Sequence, residues 1–281
     1  MRYVKKSARP RWRALLIAPV LALLALVLLG AGGRSGTEAQ AHEGREPTIV
    51  LVHGDWADGS SWTSVIERLQ DRGFTVVAPP NLLRGPAADS AYLASYLETI
   101  SGPIVLVAHS YGGFVITNAA TGNPNVKALV YIDGFIPDEG EILGELAGDS
   151  GSCIDDSALN AVPFDGGVDL YLRFEANPPY PGFVECFANG VKAENAAVLA
   201  AVQRPAAAAQ FGEPSGPPAW KTIPSWSLIG TLDNVIPPAL QEEMSSRAGA
   251  DISRVRAGHL TPITRPGHVT KVILSAVDAT S

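Results

Sequence analysis

The residues best suited to chemistry lie in Val107-Ala108-His109-Ser110-Tyr111-Gly112-Gly113, where a serine has small residues two positions before and two after it. An apolar run precedes it and a Gly-Gly pair opens a helical pattern behind it, so Ser110 falls on a turn from strand to helix. Such a turn must be tight, with the serine strained and its hydroxyl exposed above a sheet, and bulky flanks would collide there. Ala108 takes the place of the first glycine of G-x-S-x-G and stays small. A serine between small residues is by itself a weak signal, because serine is common. The strand-to-helix placement carries the weight.

A serine hydroxyl becomes nucleophilic only when a base removes its proton, which calls for an imidazole, and the chain has 5 histidines. His42 lies near the N-terminus as a solvated residue, His53 shapes the loop it shares with Gly54, His109 points off the turn into packing, and His268 opens the last helix as a surface or capping residue. His259, in Ala257-Gly258-His259 between the last strand and the last helix, returns to the sheet edge of Ser110 and is the predicted base. The imidazole needs a carboxylate that fixes its tautomer and offsets its charge. Asp233, after Gly230-Thr231-Leu232, is preferred, because its loop is short and leads into Ile236-Pro237-Pro238. Asp133, after the strand ending at Ile132, is the rival, since the chain order Ser, Asp, His admits both. The oxyanion formed by serine attack needs two donors: the backbone N–H of Tyr111, at the positive end of the elbow helix, and that of Asp55, after His53-Gly54. The plain alternative for His53-Gly54-Asp55 is an ordinary turn.

Elements that bring these loops together can be read from periodicity. Thr48–Val52 is a short apolar, β-branched run, the signature of a buried parallel strand, and Phe74–Ala78, Pro103–Ala108, Val126–Ile132, Ser225–Gly230 and Ile252–Val255 read as further strands. Between them, Ser61–Leu69, Ser90–Ile100, Phe114–Thr121, Pro237–Arg247 and Val269–Val277 read as helices. Repeated strand, helix, strand units favour right-handed parallel crossovers, hence an open α/β sheet covered on both faces. The rhythm breaks over residues 137–221, where Gly, Pro and Asp clusters, scattered aromatics and an Ala-rich helical stretch from Ala193 to Ala209, interrupted by Pro205, mark an insertion.

The composition agrees with one compact domain: 281 residues, 46% hydrophobic and 17% charged, with enough apolar mass for a large core. Residues 1–13 are basic, residues 14–29 form an uninterrupted apolar run, and Ala39-Gln40-Ala41 has the A-x-A spacing of a signal-peptidase site. Residues 1–41 are therefore predicted to be an export signal, leaving residues 42–281 as the mature chain. A retained anchor is the alternative, the run being slightly shorter than the roughly 20 residues a membrane span needs. Beyond residue 41 the chain has 14 Lys and Arg against 27 Asp and Glu, a net charge of −13 that repels phosphate backbones and argues against nucleic acid as a partner. Export exposes Cys153 and Cys186 to an oxidising compartment, where a disulfide between them is expected, two buried thiols being the other reading.

The loop His53-Gly54-Asp55-Trp56-Ala57-Asp58-Gly59-Ser60-Ser61-Trp62, the elbow His109 to Gly113 and the stretch Gly230 to Pro238 resemble the corresponding parts of the α/β-hydrolase superfamily. Within it, the chain looks most like small-capped bacterial serine hydrolases related to plant methylesterases and hydroxynitrile lyases. The resemblance covers nearly all of residues 47–278. It implies the α/β-hydrolase fold, with Ser110 as nucleophile, Asp233 as acid, His259 as base, Asp55 and Tyr111 N–H groups as oxyanion donors, and residues 137–221 as a lid. It implies no metal and no organic cofactor, and no His/Cys/Asp spacing calls for one. Two features depart from the family pattern. The position after His53-Gly54 is more often small and uncharged, so an Asp55 carboxylate is expected to turn away from the oxyanion, and the lid cysteines are additional. The expected activity is hydrolysis of small-molecule carboxylic esters by an exported enzyme that meets membrane only through an uncleaved N-terminal segment. The same triad serves lyase, perhydrolase and carbon-carbon hydrolase chemistry, and a non-catalytic binder on this scaffold is the reading from another class. The lyase is disfavoured, because those relatives have a cation beside the base and Leu260 follows His259 here.

Overall fold

The computed structural model describes residues 46–148 and 150–281. The expected signal over residues 1–41, its anchor alternative and His42 lie outside the described residues. In chain order the first half holds β1 (Thr48–Val52), α1 (Thr63–Gln70), β2 (Val76–Val77), α2 (Pro86–Glu98), β3 (Ile104–His109), α3 (Gly112–Ala119) and β4 (Val126–Ile132). The insertion follows with α4 (Leu143–Gly148), β5 (Leu159–Phe164), β6 (Gly167–Leu172), α5 (Phe183–Cys186), α6 (Ala193–Val202) and β7 (Ala206–Ala207). The chain then returns to β8 (Ser225–Gly230), α7 (Pro238–Arg247), β9 (Asp251–Val255), α8 (Thr261–Thr264) and α9 (Pro266–Thr280).

Six strands form one parallel sheet in the order β2-β1-β3-β4-β8-β9. Successive side chains point to opposite faces. Val50 and Val52 of β1, with Leu106 and Ala108 of β3, enter the core beneath α2 and α3; Ile49, Leu51, Val105 and Val107 enter the core beneath α1 and α9. Both faces are therefore apolar, which is why these strands read as unbroken hydrophobic runs rather than alternating ones. Each fully buried Leu, Ile or Val there contributes about 1.5–3 kcal/mol of transfer free energy. The fold is the α/β-hydrolase fold, a parallel sheet flanked by helices with a separate small antiparallel sheet in the insertion.

Several elements differ from the sequence expectation. β2 shrinks to Val76–Val77, an edge strand with a single neighbour. The helix expected to start at Ser90 begins at Pro86, directly after Gly85 at φ +143°, an N-terminal proline signal. The Ala-rich helix ends at Val202, three residues before Pro205, whose missing N–H cannot continue it, and residues 206–207 pair with β6 instead. The sheet β5-β6-β7 was not expected at all. Its local signal is Asp165-Gly166, a two-residue hairpin turn with Gly166 at φ +102°. That signal is masked because β5 is mostly exposed and lacks alternation.

Candidate active site

The order of strand addition reverses at β1, with β2 on one side of it and β3 and the later strands on the other, so the loops after β1 and β3 border the crevice at a topological switch point. The first loop contains His53-Gly54-Asp55 and the second begins at Ser110.

Ser110 sits at φ +56°, a left-handed conformation that costs a non-glycine residue about 1–3 kcal/mol. Its neighbours hold it there: the Ser110 carbonyl accepts from the N–H of Gly113 at 3.0 Å and of Phe135 at 3.3 Å. Gly113 permits this approach, since a Cβ there would overlap the Phe135 carbonyl oxygen. The β1 loop comes equally close, because a Cβ on Gly54 would lie 2.6 Å from Ser110 Cβ and 3.1 Å from its Oγ.

The structure brings Ser110, His259 and Asp233 into one hydrogen-bonded chain. The Ser110 hydroxyl lies 2.9 Å from His259 Nε2, and His259 Nδ1 lies 2.8 Å from Asp233 Oδ2. Asp233 Oδ1 accepts from the backbone N–H of Val235 at 2.8 Å and Ile236 at 3.0 Å, and Oδ2 also accepts from Gln241 Nε2 at 2.9 Å. Burial pushes the Asp233 carboxyl up, against those donors, and pushes the His259 imidazole down to about 3. His259 is therefore uncharged at neutral pH, the form able to take a proton. A serine with its proton pointed at a neutral imidazole, itself oriented by a carboxyl, can perform nucleophilic acyl transfer.

Asp133, the rival acid, does other work. It is fully buried, with Oδ1 accepting from Gly230 N–H at 2.7 Å and Oδ2 from Thr261 N–H at 3.3 Å, so it ties β4 to the end of β8 and the start of α8. Burial first, and Asp233 second, push its pKa well up.

Asp55 and Tyr111 border the same turn, and among the described residues neither backbone N–H is bonded to a backbone carbonyl. The Tyr111 phenol donates to Asp89 Oδ2 at 2.8 Å, and Asp89 also accepts the N–H groups of Arg84 and Gly85. The Asp55 side chain does not turn out to solvent: it is 3% exposed, and its Oδ2 accepts from Gln210 Nε2 at 2.7 Å. His53 holds the loop from below. Its Nε2 accepts the Asn81 N–H at 3.0 Å, which makes Nδ1 the donor to the Gly54 carbonyl at 2.9 Å. His109 does more than pack, because its ring nitrogen Nε2 donates to the His259 carbonyl at 2.9 Å while the two rings lie 4.7 Å apart.

Sequence reasoning missed three amides. Gln241 supports Asp233, Gln210 meets Asp55, and Asn189 accepts the His259 N–H at 3.3 Å while donating to the Leu232 carbonyl at 2.6 Å. Gln241 had a weak signal in its place on the first turns of the helix after the acid loop; Asn189 and Gln210 had none. Over the site lies a cavity of about 860 Å³, bordered by Ser110, Asp55, Trp56 and Phe135 and by residues of the insertion, including Leu143, Leu170 and Phe211. Asp155 and Asp156 also border it, and no described Lys or Arg does. Among the described residues no cluster of His, Cys, Asp and Glu could hold a metal ion. Cys153 and Cys186, both in the insertion, are joined as a disulfide with Cα atoms 5.8 Å apart.

The sequence model of the alpha/beta hydrolase family matches residues 49–270. A carbendazim-hydrolysing esterase from Nocardioides is 33% identical over 108 residues, covering 34% of this chain and 45% of that protein, so the match spans about half that relative's length. Lipase LipV from Mycobacterium tuberculosis is 27% identical over 271 residues, covering 81% of this chain and 92% of that protein. Among solved structures, a methylesterase from Arabidopsis superposes with a TM-score of 0.67 at 17% identity, over 83% of this chain and 99% of that one, a likeness of fold.

Proposed function

The chain belongs to the alpha/beta hydrolase family, and on that premise we propose that it hydrolyses small-molecule carboxylic esters through an acyl-enzyme on Ser110. The observation that carries the reading is the continuous relay from Ser110 Oγ through His259 to Asp233, at 2.9 Å and 2.8 Å. Ser110 Oγ attacks the ester carbonyl carbon and passes its proton to His259 Nε2, while Asp233 stabilises the imidazolium. The N–H groups of Asp55 and Tyr111 receive the oxyanion, and losing one such donor raises the barrier by roughly 3–4 kcal/mol. As the tetrahedral intermediate collapses, the carbon-oxygen bond to the alcohol breaks and His259 returns the proton to it. Water then attacks the acyl-enzyme with His259 again as base, releasing the acid and restoring the Ser110 hydroxyl.

The relatives named as esterase and lipase support ester substrates, and the absence of Lys and Arg among the described residues of the cavity wall favours hydrolysis over cyanide-releasing lyase chemistry. Residues 137–221 act as the lid, since α4, β6 and the segment around Phe211 border the cavity. The site of action is outside the cytoplasm. The basic-apolar pattern of residues 1–41 supports this, and a Cys153–Cys186 disulfide fits an oxidising compartment.

The test is turnover of short p-nitrophenyl esters by the mature chain. Ser110→Ala abolishes it, and an organophosphonate probe labels the unaltered chain at Ser110 only. Unchanged turnover in Ser110→Ala overturns the assignment.

A further inference from the structure

Where the loop after β1 meets the insertion, two polar side chains face each other out of reach of water. Asp55 is 3% exposed and Gln210 is fully buried, and the one hydrogen bond between them runs from Gln210 Nε2 to Asp55 Oδ2 at 2.7 Å. Two oxygens are left over: Asp55 Oδ1 and Gln210 Oε1 are both buried without a hydrogen-bond partner. A carboxylate offers only acceptors, and Oε1 is an acceptor as well, so an ionised Asp55 leaves both atoms buried and unpaired, which is unfavourable. A proton on Oδ1 turns that oxygen into a donor, the kind of group that Gln210 Oε1 lacks. A carboxylic acid set against a carboxamide closes a ring of two hydrogen bonds, O–H to Oε1 and Nε2–H to Oδ2.

We infer that Asp55 is a positioning residue that works as a neutral carboxylic acid, doubly hydrogen-bonded to Gln210, and that this pair holds the oxyanion loop against the insertion. The charges around it fit. Burial pushes the Asp55 carboxyl up to about 7, and Asp89 of α2 adds to the rise, against the Gln210 N–H and the Arg84 guanidinium. The Tyr111 phenol, another ionisable neighbour, is spent on Asp89. This also resolves the conflict of an aspartate placed directly after His53-Gly54, because an uncharged acid does not repel a developing oxyanion. Once ionised, Asp55 opposes that negative charge and gives up one of its two bonds to Gln210.

The kinetic consequence rests on the esterase reading. kcat/KM falls at low pH, where the His259–Asp233 pair takes up a second proton and the base is lost, and it falls again at high pH as Asp55 ionises. Measured for p-nitrophenyl acetate between about pH 5 and about pH 9, the unaltered chain is expected to lose activity on the alkaline side with a midpoint at about 7. Asp55→Asn keeps the backbone N–H and cannot ionise, so its alkaline loss disappears. Alkaline limbs of the same shape in both overturn the inference.

A second measurement needs no turnover. The folded-state pKa of about 7 lies above the ordinary carboxylate value of 3.8, so the stability associated with Asp55 is complete at acid pH and is lost as pH rises towards 7. In the Ser110→Ala background, the Tm of Asp55→Asn relative to its parent therefore climbs between about pH 4 and about pH 8. A constant difference overturns the neutral acid. The Tm shifts of Asp55→Leu and Gln210→Leu at acid pH are non-additive in the double variant, and strict additivity removes the pair. Failure of the esterase reading leaves these melting results untouched, so the two failures are distinguishable.

Discussion

Asn189, in the insertion, bridges the two loops on which His259 and Asp233 stand: its Oδ1 accepts the His259 backbone N–H at 3.3 Å and its Nδ2 donates to the Leu232 carbonyl at 2.6 Å. The contact is close enough that a Cβ on Gly258 would overlap the Asn189 side chain. The proposed lid is thereby coupled to the register of the imidazole.

Asn189→Ala removes both bonds and leaves the His259 side chain intact. Losing about 1.4 kcal/mol of alignment at the transition state lowers kcat about tenfold. KM changes little, because no bond to Asn189 depends on bound ester. Steady-state kinetics on a single p-nitrophenyl ester, alongside a melting curve, check the split.

The two buried aspartates separate by assay. Asp233→Asn leaves its hydrogen-bonded turn largely in place but reverses the imidazole tautomer, and kcat drops by about four orders of magnitude, the scale known for such a change in a serine protease. Asp133→Asn touches neither His259 nitrogen. It sets an amide N–H₂ against the Gly230 or Thr261 N–H, destabilising the fold by about 1–3 kcal/mol while the remaining folded protein keeps its turnover. Tm and active-site-normalised kcat of the two variants decide which aspartate serves which role.

The disulfide clasps the acid loop. The Cys153 N–H donates to the Asn234 carbonyl at 2.8 Å, and Asn234 Nδ2 donates to the Glu185 carbonyl, next to Cys186, at 3.0 Å. With the cysteines 33 positions apart, the crosslink stabilises by roughly 3–4 kcal/mol on the chain-entropy estimate. Cys153→Ser with Cys186→Ser lowers Tm by about 10 °C. The same double substitution lowers kcat through the freed Asn234 loop. Thermal melts with and without reductant check the first effect, and an unchanged Tm removes the structural role.

The parallel strands could be anticipated from runs such as residues 49–52 and 128–132, because strand segments buried on both faces must be continuously apolar. Ser110 was legible for a similarly local reason: its left-handed turn, packed under Gly54 and Gly113, admits only small neighbours within a few residues. Asp165-Gly166 carried the hairpin of the insertion in plain letters, but an exposed strand has no buried face to write an alternating pattern beside it. Pro205 marks the break in the helix, but nothing near it in sequence signals that Ala206 and Ala207 form a strand, because their partner β6 lies more than 30 residues earlier.

By itself, the sequence determined the parallel scaffold, the elbow at Ser110 and the short roster of His and Asp residues able to reach it, all of which follow from backbone sterics and burial within a few neighbouring residues. Only the tertiary structure decided that His259 meets Asp233 while Asp133 binds the N–H groups at the end of β8 and the start of α8, and that Asn189, Gln210 and Gln241 hold the loops. A side-chain amide has no periodicity and no turn preference to announce it. Its role is set by whichever buried donor or acceptor the fold leaves opposite it, and that partner arrives from 155 residues away for Gln210.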